Sequence, residues 1–240
     1  VAGWGHKPTA RLARRFARRF HMPYIGFEDG LLRSLFPGPA QRPSAMVMDR
    51  TGIYYDATGP SDLEQLIEAG GMGHEERERA RELVALIARL RLSKYNDGED
   101  RVPEGLRNAA RLVVIIDQTF GDQSVAGALA GPQSFLRMVA MAEAENEGAT
   151  IAVKLHPEVL SGRKRGYLRE MAADRKLTSI AGNINPHAIV AVNPKVYTVS
   201  SQFGFEALLR GCEVRCFGMP FYAGWGLTQD DMQLPRRTRR

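Results

Sequence analysis

Three short polar clusters in this 240-residue chain carry residue types that can do chemistry, and each follows an apolar run. Asp117-Gln118-Thr119-Phe120-Gly121-Asp122 follows Leu112, Val113, Val114, Ile115 and Ile116. Lys154 and His156 close the run 150–155, with Pro157 next. Ser200-Ser201-Gln202 closes the run 195–199. Lys154 and His156 are two apart on an extended segment, so both face one side. A lysine, a histidine and hydroxyls beside helix starts suit a phosphate, and Asp122, just past the end of its apolar run, falls where open α/β sheets usually place chemistry. Each cluster also has a plain alternative: Asp, Ser and a polar strand end are ordinary helix caps. A fourth cluster, Glu28-Asp29-Gly30 with Arg33-Ser34, reads as a base beside a cation clamp, or equally as a cap with a surface ion pair. Lys94-Tyr95-Asn96 either reaches a ligand or simply ends a helix.

The elements that must position these clusters follow from periodicity. A continuous apolar run such as 112–116 needs both faces covered, which suits a central parallel strand. Strands over 112–116, 150–155, 195–199 and 213–217 alternate with helices, so the second half reads as a parallel α/β sheet. Ligands of such sheets bind beyond the carboxyl ends of the strands, where all three clusters would converge on one rim. The first half is α/β but less regular. Residues 1–6 end a strand, residues 23–27 form another, and 45–48 with 53–55 read as a hairpin around Asp49-Arg50-Thr51-Gly52. A helix over 9–20 carries Leu12, Phe16 and Phe20 as an apolar stripe, with arginines elsewhere. Ser61 with Glu64 has capping-box spacing, and 75–92 reads as a long charged helix. Residues 98–110 are the linker candidate, dividing the chain into 1–97 and 111–240.

Composition narrows the classes. Hydrophobic residues make 44% and charged residues 25%, an ordinary globular balance. The net charge of +6 favours an anionic ligand or surface without selecting nucleic acid. The excess gathers at the ends, in Arg11, Arg14, Arg15, Arg18 and Arg19, and in Arg236, Arg237, Arg239 and Arg240. Such arginines either touch anionic lipid or form a solvated face. Two cysteines, Cys212 and Cys216, give no CxxC pair, which argues against a disulfide framework and fits a reducing compartment. The five histidines form no metal-ligand spacing. No GxGxxG or P-loop lysine motif supports dinucleotide oxidoreduction or P-loop hydrolysis.

Read together, these motifs resemble a known family. Trp4-Gly5-His6-Lys7-Pro8, Glu28-Asp29-Gly30 with Arg33-Ser34, Gly52-Ile53-Tyr54-Tyr55-Asp56, Ser93-Lys94-Tyr95-Asn96 and Asp117 to Asp122 occur in order. Lys154 with His156-Pro157, Ser200 to Glu206, Cys216-Phe217-Gly218 and Phe221 to Leu227 follow. That order is similar to the capsule polysaccharide biosynthesis/export β-Kdo transferases of the KpsC/LipA type. The resemblance implies a two-domain glycosyltransferase B architecture of two Rossmann-like halves. Residues 1–97 would be the acceptor-side half, and 111–240 would bind the nucleotide sugar. The chain would hold one of the family's two modules, without its first strand and last helices. The implied reaction is retaining β-Kdo transfer from CMP-Kdo, with no cofactor and no metal. The acceptor would be a Kdo-phosphatidylglycerol-type glycolipid at the cytoplasmic face of a Gram-negative inner membrane, and nucleic acid would not be a partner. Asp122 would be the nucleophile of a double displacement and Glu28 the base. Lys154, His156, Ser200, Ser201 and Gln202 would hold the CMP part, and Gln118 and Arg33 the Kdo part. The rivals are a non-catalytic sugar- or nucleotide-binding module for capsule export, and, by analogy of fold alone, a nucleotide-sugar epimerase.

Overall fold

A computed structural model describes residues 1–38, 41–180 and 182–237. Arg239 and Arg240, counted above among the basic-end residues, lie outside the described residues, as does Pro39. The chain divides into two compact units, Val1–Asn96 and Asp97–Arg240.

The first unit carries a three-stranded mixed sheet of β1 (Ala2–Trp4), β2 (Ile25–Asp29) and β3 (Met46–Asp49), in that order. β1 and β2 are parallel, and β3 runs antiparallel to β2. Between β1 and β2 a 3-10 turn over Pro8–Ala10 leads into α1 (Arg11–Arg19), and α2 (Asp62–Ala69) and α3 (His74–Leu90) follow β3. Ser61 caps α2, its hydroxyl accepting the Glu64 N–H. The expected hairpin return over 53–55 does not form. Asp49 at the end of β3 is buried, and one carboxylate oxygen accepts the N–H groups of Thr51, Gly52 and Asp62. Those bonds curl the backbone away from the ladder, and Ile53 drops into the core instead.

The stripe expected of α1 is also reversed. Its buried residue is Ala17, with Ala10 buried just before it, while Leu12, Phe16 and Phe20 point outward. Small side chains on the inner face let the helix lie close to β1.

The second unit begins with α4 (Glu104–Arg107), inside the stretch read as a linker. Val102 and Leu106 there are buried, and Glu99 pairs with Ile184 in a parallel bridge. Then follow β4 (Leu112–Ile116), α5 (Gln123–Gly127), α6 (Pro132–Glu145), β5 (Thr150–Lys154), α7 (Pro157–Leu160) and α8 (Arg169–Asp174). β6 (Thr178–Ile180), α9 (Pro186–Val190), β7 (Lys195–Thr198), α10 (Gln202–Leu208), β8 (Val214–Cys216) and β9 (Gln229–Asp230) complete it. The sheet order is β6-β5-β4-β7-β8-β9, and every pairing is parallel. β4 lies between β5 and β7 with all five residues buried, as its unbroken apolar run requires. Val113 and Ile115 share a core with Phe135, Met138 and Val139 of α6 and with Tyr197 of β7. Because the sheet is parallel, the carboxyl ends of β4, β5 and β7 open on one rim.

Candidate functional site

That rim assembles the candidate residues of the second unit from the strand-to-helix turns of three neighbouring strands, β5, β4 and β7. Asp122 is the N-cap of α5, His156 of α7 and Ser201 of α10. The Asp122 carboxylate accepts the Ser124 N–H at 2.9 Å, His156 Nδ1 accepts the Glu158 N–H at 3.2 Å, and Ser201 Oγ accepts the Phe203 N–H at 3.3 Å. The plain reading of these residues as caps therefore holds, and it coexists with their place on the rim. A cap is held by its own helix, so its free oxygen or nitrogen is pre-positioned.

Side chains then tie the turns to one another. Gln118 is buried; its amide nitrogen donates to Ser200 Oγ at 3.0 Å, and its amide oxygen accepts the Ser200 N–H at 2.9 Å. Ser124 Oγ lies 3.3 Å from both Gln118 Nε2 and Ser200 Oγ. Asp122 is thus one residue pair away from a hydroxyl and amide cluster spanning the ends of β4 and β7. Gly121, with φ at +80°, makes the turn that places Asp122 after the exposed ring of Phe120.

The charges on this rim are tuned by burial. Lys154 ends β5 as a buried side chain. Burial pushes its pKa down to about 8, against the pull of the nearby Glu206 carboxylate. Burial likewise pushes His156 down to about 4. Glu158 opposes that fall, Lys154 adds to it, and Asp122 opposes it more weakly. At neutral pH His156 is therefore a neutral imidazole, with Nδ1 already accepting a bond. Gln202, one turn before Glu206, donates to its carboxylate at 3.2 Å.

Behind the Asp122 turn lies Asp117, buried at the end of β4. Its Oδ1 accepts the N–H groups of Tyr167 and Leu168 at 2.9 and 3.0 Å. Its Oδ2 is buried without a hydrogen-bond partner among the described residues and faces Gly166, where a Cβ would come within 2.1 Å. Burial raises the Asp117 pKa to about 6, although the donors at Leu168, Tyr167 and Gln118 pull the other way. Phe120 N–H donates to Arg165 O, and Tyr167 N–H donates to Gln118 O. Asp117 therefore fastens residues 165–168 alongside the turn that carries Gln118 and Asp122.

Glu28 and Arg33 belong to the first unit. Glu28 Oε1 accepts from Trp4 Nε1 at 2.9 Å and from the Asp29 N–H at 3.0 Å. Around it sit Gly5, whose φ is +45°, and Tyr55, whose hydroxyl accepts the His6 N–H at 2.9 Å. A Cβ on Gly5 would meet both Tyr55 Oη and Glu28 Oε2 within 2.8 Å. His6 pairs in turn with Asp56 at 2.9 Å. Arg33 is buried and pairs with Asp29 at 2.9 Å, its guanidinium stacked near Tyr95 and donating to Ser34.

Sequence reasoning gave no role to several residues now in place. Glu206 faces Lys154, Tyr222 donates to Ser201 O at 2.5 Å, and Tyr55, beside Glu28, accepts from His6, which pairs with Asp56. All five stand inside the ordered motifs, which was the available signal. Among the described residues no three His, Cys, Asp or Glu side chains are gathered to hold a metal ion. Both cysteines are free and buried. No helix among the described residues is long and apolar enough to cross a membrane. Arg237, one of the basic C-terminal group, is buried and donates to Pro220 O at 2.6 Å, so it is not part of a solvated face.

Comparison with known proteins fits this geometry. The chain is 44% identical over 235 residues to the capsule polysaccharide modification protein LipA of Neisseria meningitidis serogroup B, covering 96% of this chain and 33% of that one. It is 36% identical over 245 residues to the lipopolysaccharide-processing protein LpsZ of Rhizobium meliloti, covering 99% of this chain and 54% of that one. It thus spans between a third and about half the length of these relatives. A solved structure described as Thermosulfurimonas dismutans KpsC, beta Kdo 2,4 transferase, matches all of this chain and 75% of its own, with a TM-score of 0.94 at 48% identity. The beta Kdo 2,7 transferase of the same KpsC matches with a TM-score of 0.71 at 29% identity, over 100% of this chain and 71% of its own. The family model described as capsule polysaccharide biosynthesis protein matches residues 1–240. This chain belongs to the capsule polysaccharide biosynthesis family of the KpsC/LipA type.

Proposed function

We propose that this chain is a Kdo glycosyltransferase module of glycosyltransferase B architecture, moving Kdo from CMP-Kdo to a Kdo-bearing glycolipid with retention of the β configuration. The observation that carries the reading is the rim itself, where Asp122, His156, Lys154 and Ser200 to Gln202 stand at the carboxyl ends of β4, β5 and β7. The likeness to a beta Kdo 2,4 transferase, stronger than to the 2,7 enzyme, supports a 2,4 linkage.

In this reading the Asp122 carboxylate attacks the anomeric carbon of Kdo. The carbon–oxygen bond to the CMP phosphate breaks, and its electron pair stays on the phosphate. Lys154, the neutral His156 and the hydroxyls of Ser200 and Ser201 receive that charge, which is the work of pre-positioned donors and needs no metal. His156 uses Nε2 for this, because Nδ1 is occupied by Glu158 N–H. In the second step an acceptor hydroxyl displaces Asp122 while its proton passes to a base, for which Glu28 is the candidate. Gln118 and Arg33 are the candidates for the Kdo carboxylate and hydroxyls. A lipid-linked acceptor places the reaction at an inner-membrane surface.

Intact-mass analysis of the full-length protein mixed with CMP-Kdo tests the reading. The expected result is a Kdo adduct on the peptide containing Asp122, lost in Asp122→Asn while CMP still binds. An adduct elsewhere removes Asp122 as nucleophile. CMP binding with no transfer by the wild type favours a non-catalytic binding module, and a changed sugar recovered free in solution favours an epimerase.

A further inference from the structure

Helix α1 is built the wrong way round for a helix whose bulky stripe seals a core. Its one buried residue is Ala17, with Ala10 buried in the turn just before it, while Leu12, Phe16 and Phe20, spaced i, i+4 and i+8, are 75%, 51% and 57% exposed. Met22, just beyond the helix, is exposed as well. The rings of Phe16 and Phe20 touch, with centroids 4.6 Å apart, so the outward stripe is a continuous apolar ridge.

Beside that ridge runs a band of positive charge. Arg11, Arg15, Arg18 and Arg19 are all exposed, with Lys7 exposed just ahead of the helix. At 100° per residue these four arginines fall on one side of Leu12 and Phe16, and the alanines fall on the far side. The Arg19 guanidinium lies 5.7 Å from the centroid of Phe20, so charge and ridge meet edge to edge. No Asp or Glu occurs anywhere before Glu28. A solvated helix of this type commonly alternates charge signs or pairs its arginines along the helix. This one does neither.

We propose that α1 is a membrane-docking helix that seats this unit on an anionic phospholipid surface. Leu12, Phe16 and Phe20 enter the boundary between headgroups and acyl chains, and Arg11, Arg15, Arg18 and Arg19 lie against lipid phosphates. An in-plane helix with leucine and aromatic residues on one flank and arginines on the other is the form such binding takes. Charge decides between occupants. Another apolar protein segment would cover the ridge but leave a one-signed band of arginines beside it, whereas an anionic lipid surface satisfies both. The proposal shares with the preceding section only its membrane surface. Its test uses no donor or acceptor, so either reading can fail without the other.

The test is co-sedimentation of the full-length protein with vesicles of phosphatidylcholine alone or mixed with phosphatidylglycerol. Wild type is expected to bind the mixed vesicles, less so as salt rises, and to ignore phosphatidylcholine alone. Arg15→Gln with Arg19→Gln should weaken binding roughly thirtyfold at low salt and much less at high salt. Leu12→Ser with Phe16→Ser should weaken it by about tenfold or more at every salt concentration. These side chains are exposed, so melting temperatures should hold. Equal binding by the Leu12/Phe16 variant, or equal binding to both vesicle types, overturns the proposal. So does a variant that binds vesicles normally but loses thermal stability or changes oligomeric state, because the ridge is then covered by protein.

Discussion

Replacing Asp117 by Asn removes one buried charge, keeps the shape of the side chain, and should change how stability depends on pH. The carboxyl titrates at 3.8 when unperturbed and at about 6 in the fold. A carboxyl whose folded value is raised takes up a proton on folding between those two pH values. Its contribution is therefore fully present below the unfolded value and is lost as pH rises through the folded one. With those two values the penalty on the folded state is about 1 kcal/mol near pH 4.5 and about 3 kcal/mol near pH 7.5. The Asn side chain does not titrate, and its amide oxygen can still accept from Tyr167 and Leu168. Whatever fixed offset the substitution brings, Asp117→Asn should gain about 2 kcal/mol on wild type between those two conditions. In thermal melts that is roughly 4–8 °C of relative shift for a chain of this size. Melting curves of both proteins in the two buffers read it directly. Parallel pH profiles, or a difference that shrinks as pH rises, would refute the claim that Asp117 carries a buried, raised carboxyl.

Three further outcomes follow from the same rim. His156→Ala should clearly weaken CMP binding in calorimetry, and unchanged affinity removes His156 from the site. The histidine's depressed value also means that its share of stability is lost as pH falls from 6.5 towards 4, a loss that should be absent in the variant. Gly204→Ala puts a methyl 2.3 Å from Tyr222 Oη and 3.0 Å from Thr198, and should destabilise by about 1–3 kcal/mol; adding Tyr222→Phe should recover part of that in urea melts, and no recovery would mean the clash lies elsewhere. Transfer activity should survive EDTA; a loss restored by magnesium or manganese would require a metal in the mechanism.

How much was legible before the structure depended on whether a residue's role is set locally. The run 112–116 suited a strand covered on both faces, and from the alternation of its neighbours the parallel sheet followed. That Lys154, His156 and the serines meet Asp122's turn followed from the same parallel order. Long-range choices were not legible. Leu12, Phe16 and Phe20 have the spacing of a core stripe, and nothing local reveals that β1 demands alanines instead. Ile53-Tyr54-Tyr55 has strand composition, but the Asp49 carboxylate captures the backbone first. Glu206 was visible as a motif residue, yet its meaning depends on Lys154, which stands 52 positions earlier and meets it only through the sheet.

The strand order carries a consequence for how the protein is made. β4 is completed on one flank by β5, but on the other by β7, which is synthesised about 80 residues later. The Gln118–Ser200 bonds span 82 positions. During translation, then, the hydrophobic centre of this unit exists for a long interval with one edge bare, and the rim cannot close until residue 200 has left the ribosome. A nascent chain interrupted between residues 155 and 194 would display the apolar β4 edge to any neighbouring strand. Cells making this protein therefore have reason to shield the stalled chain with a chaperone until β7 arrives.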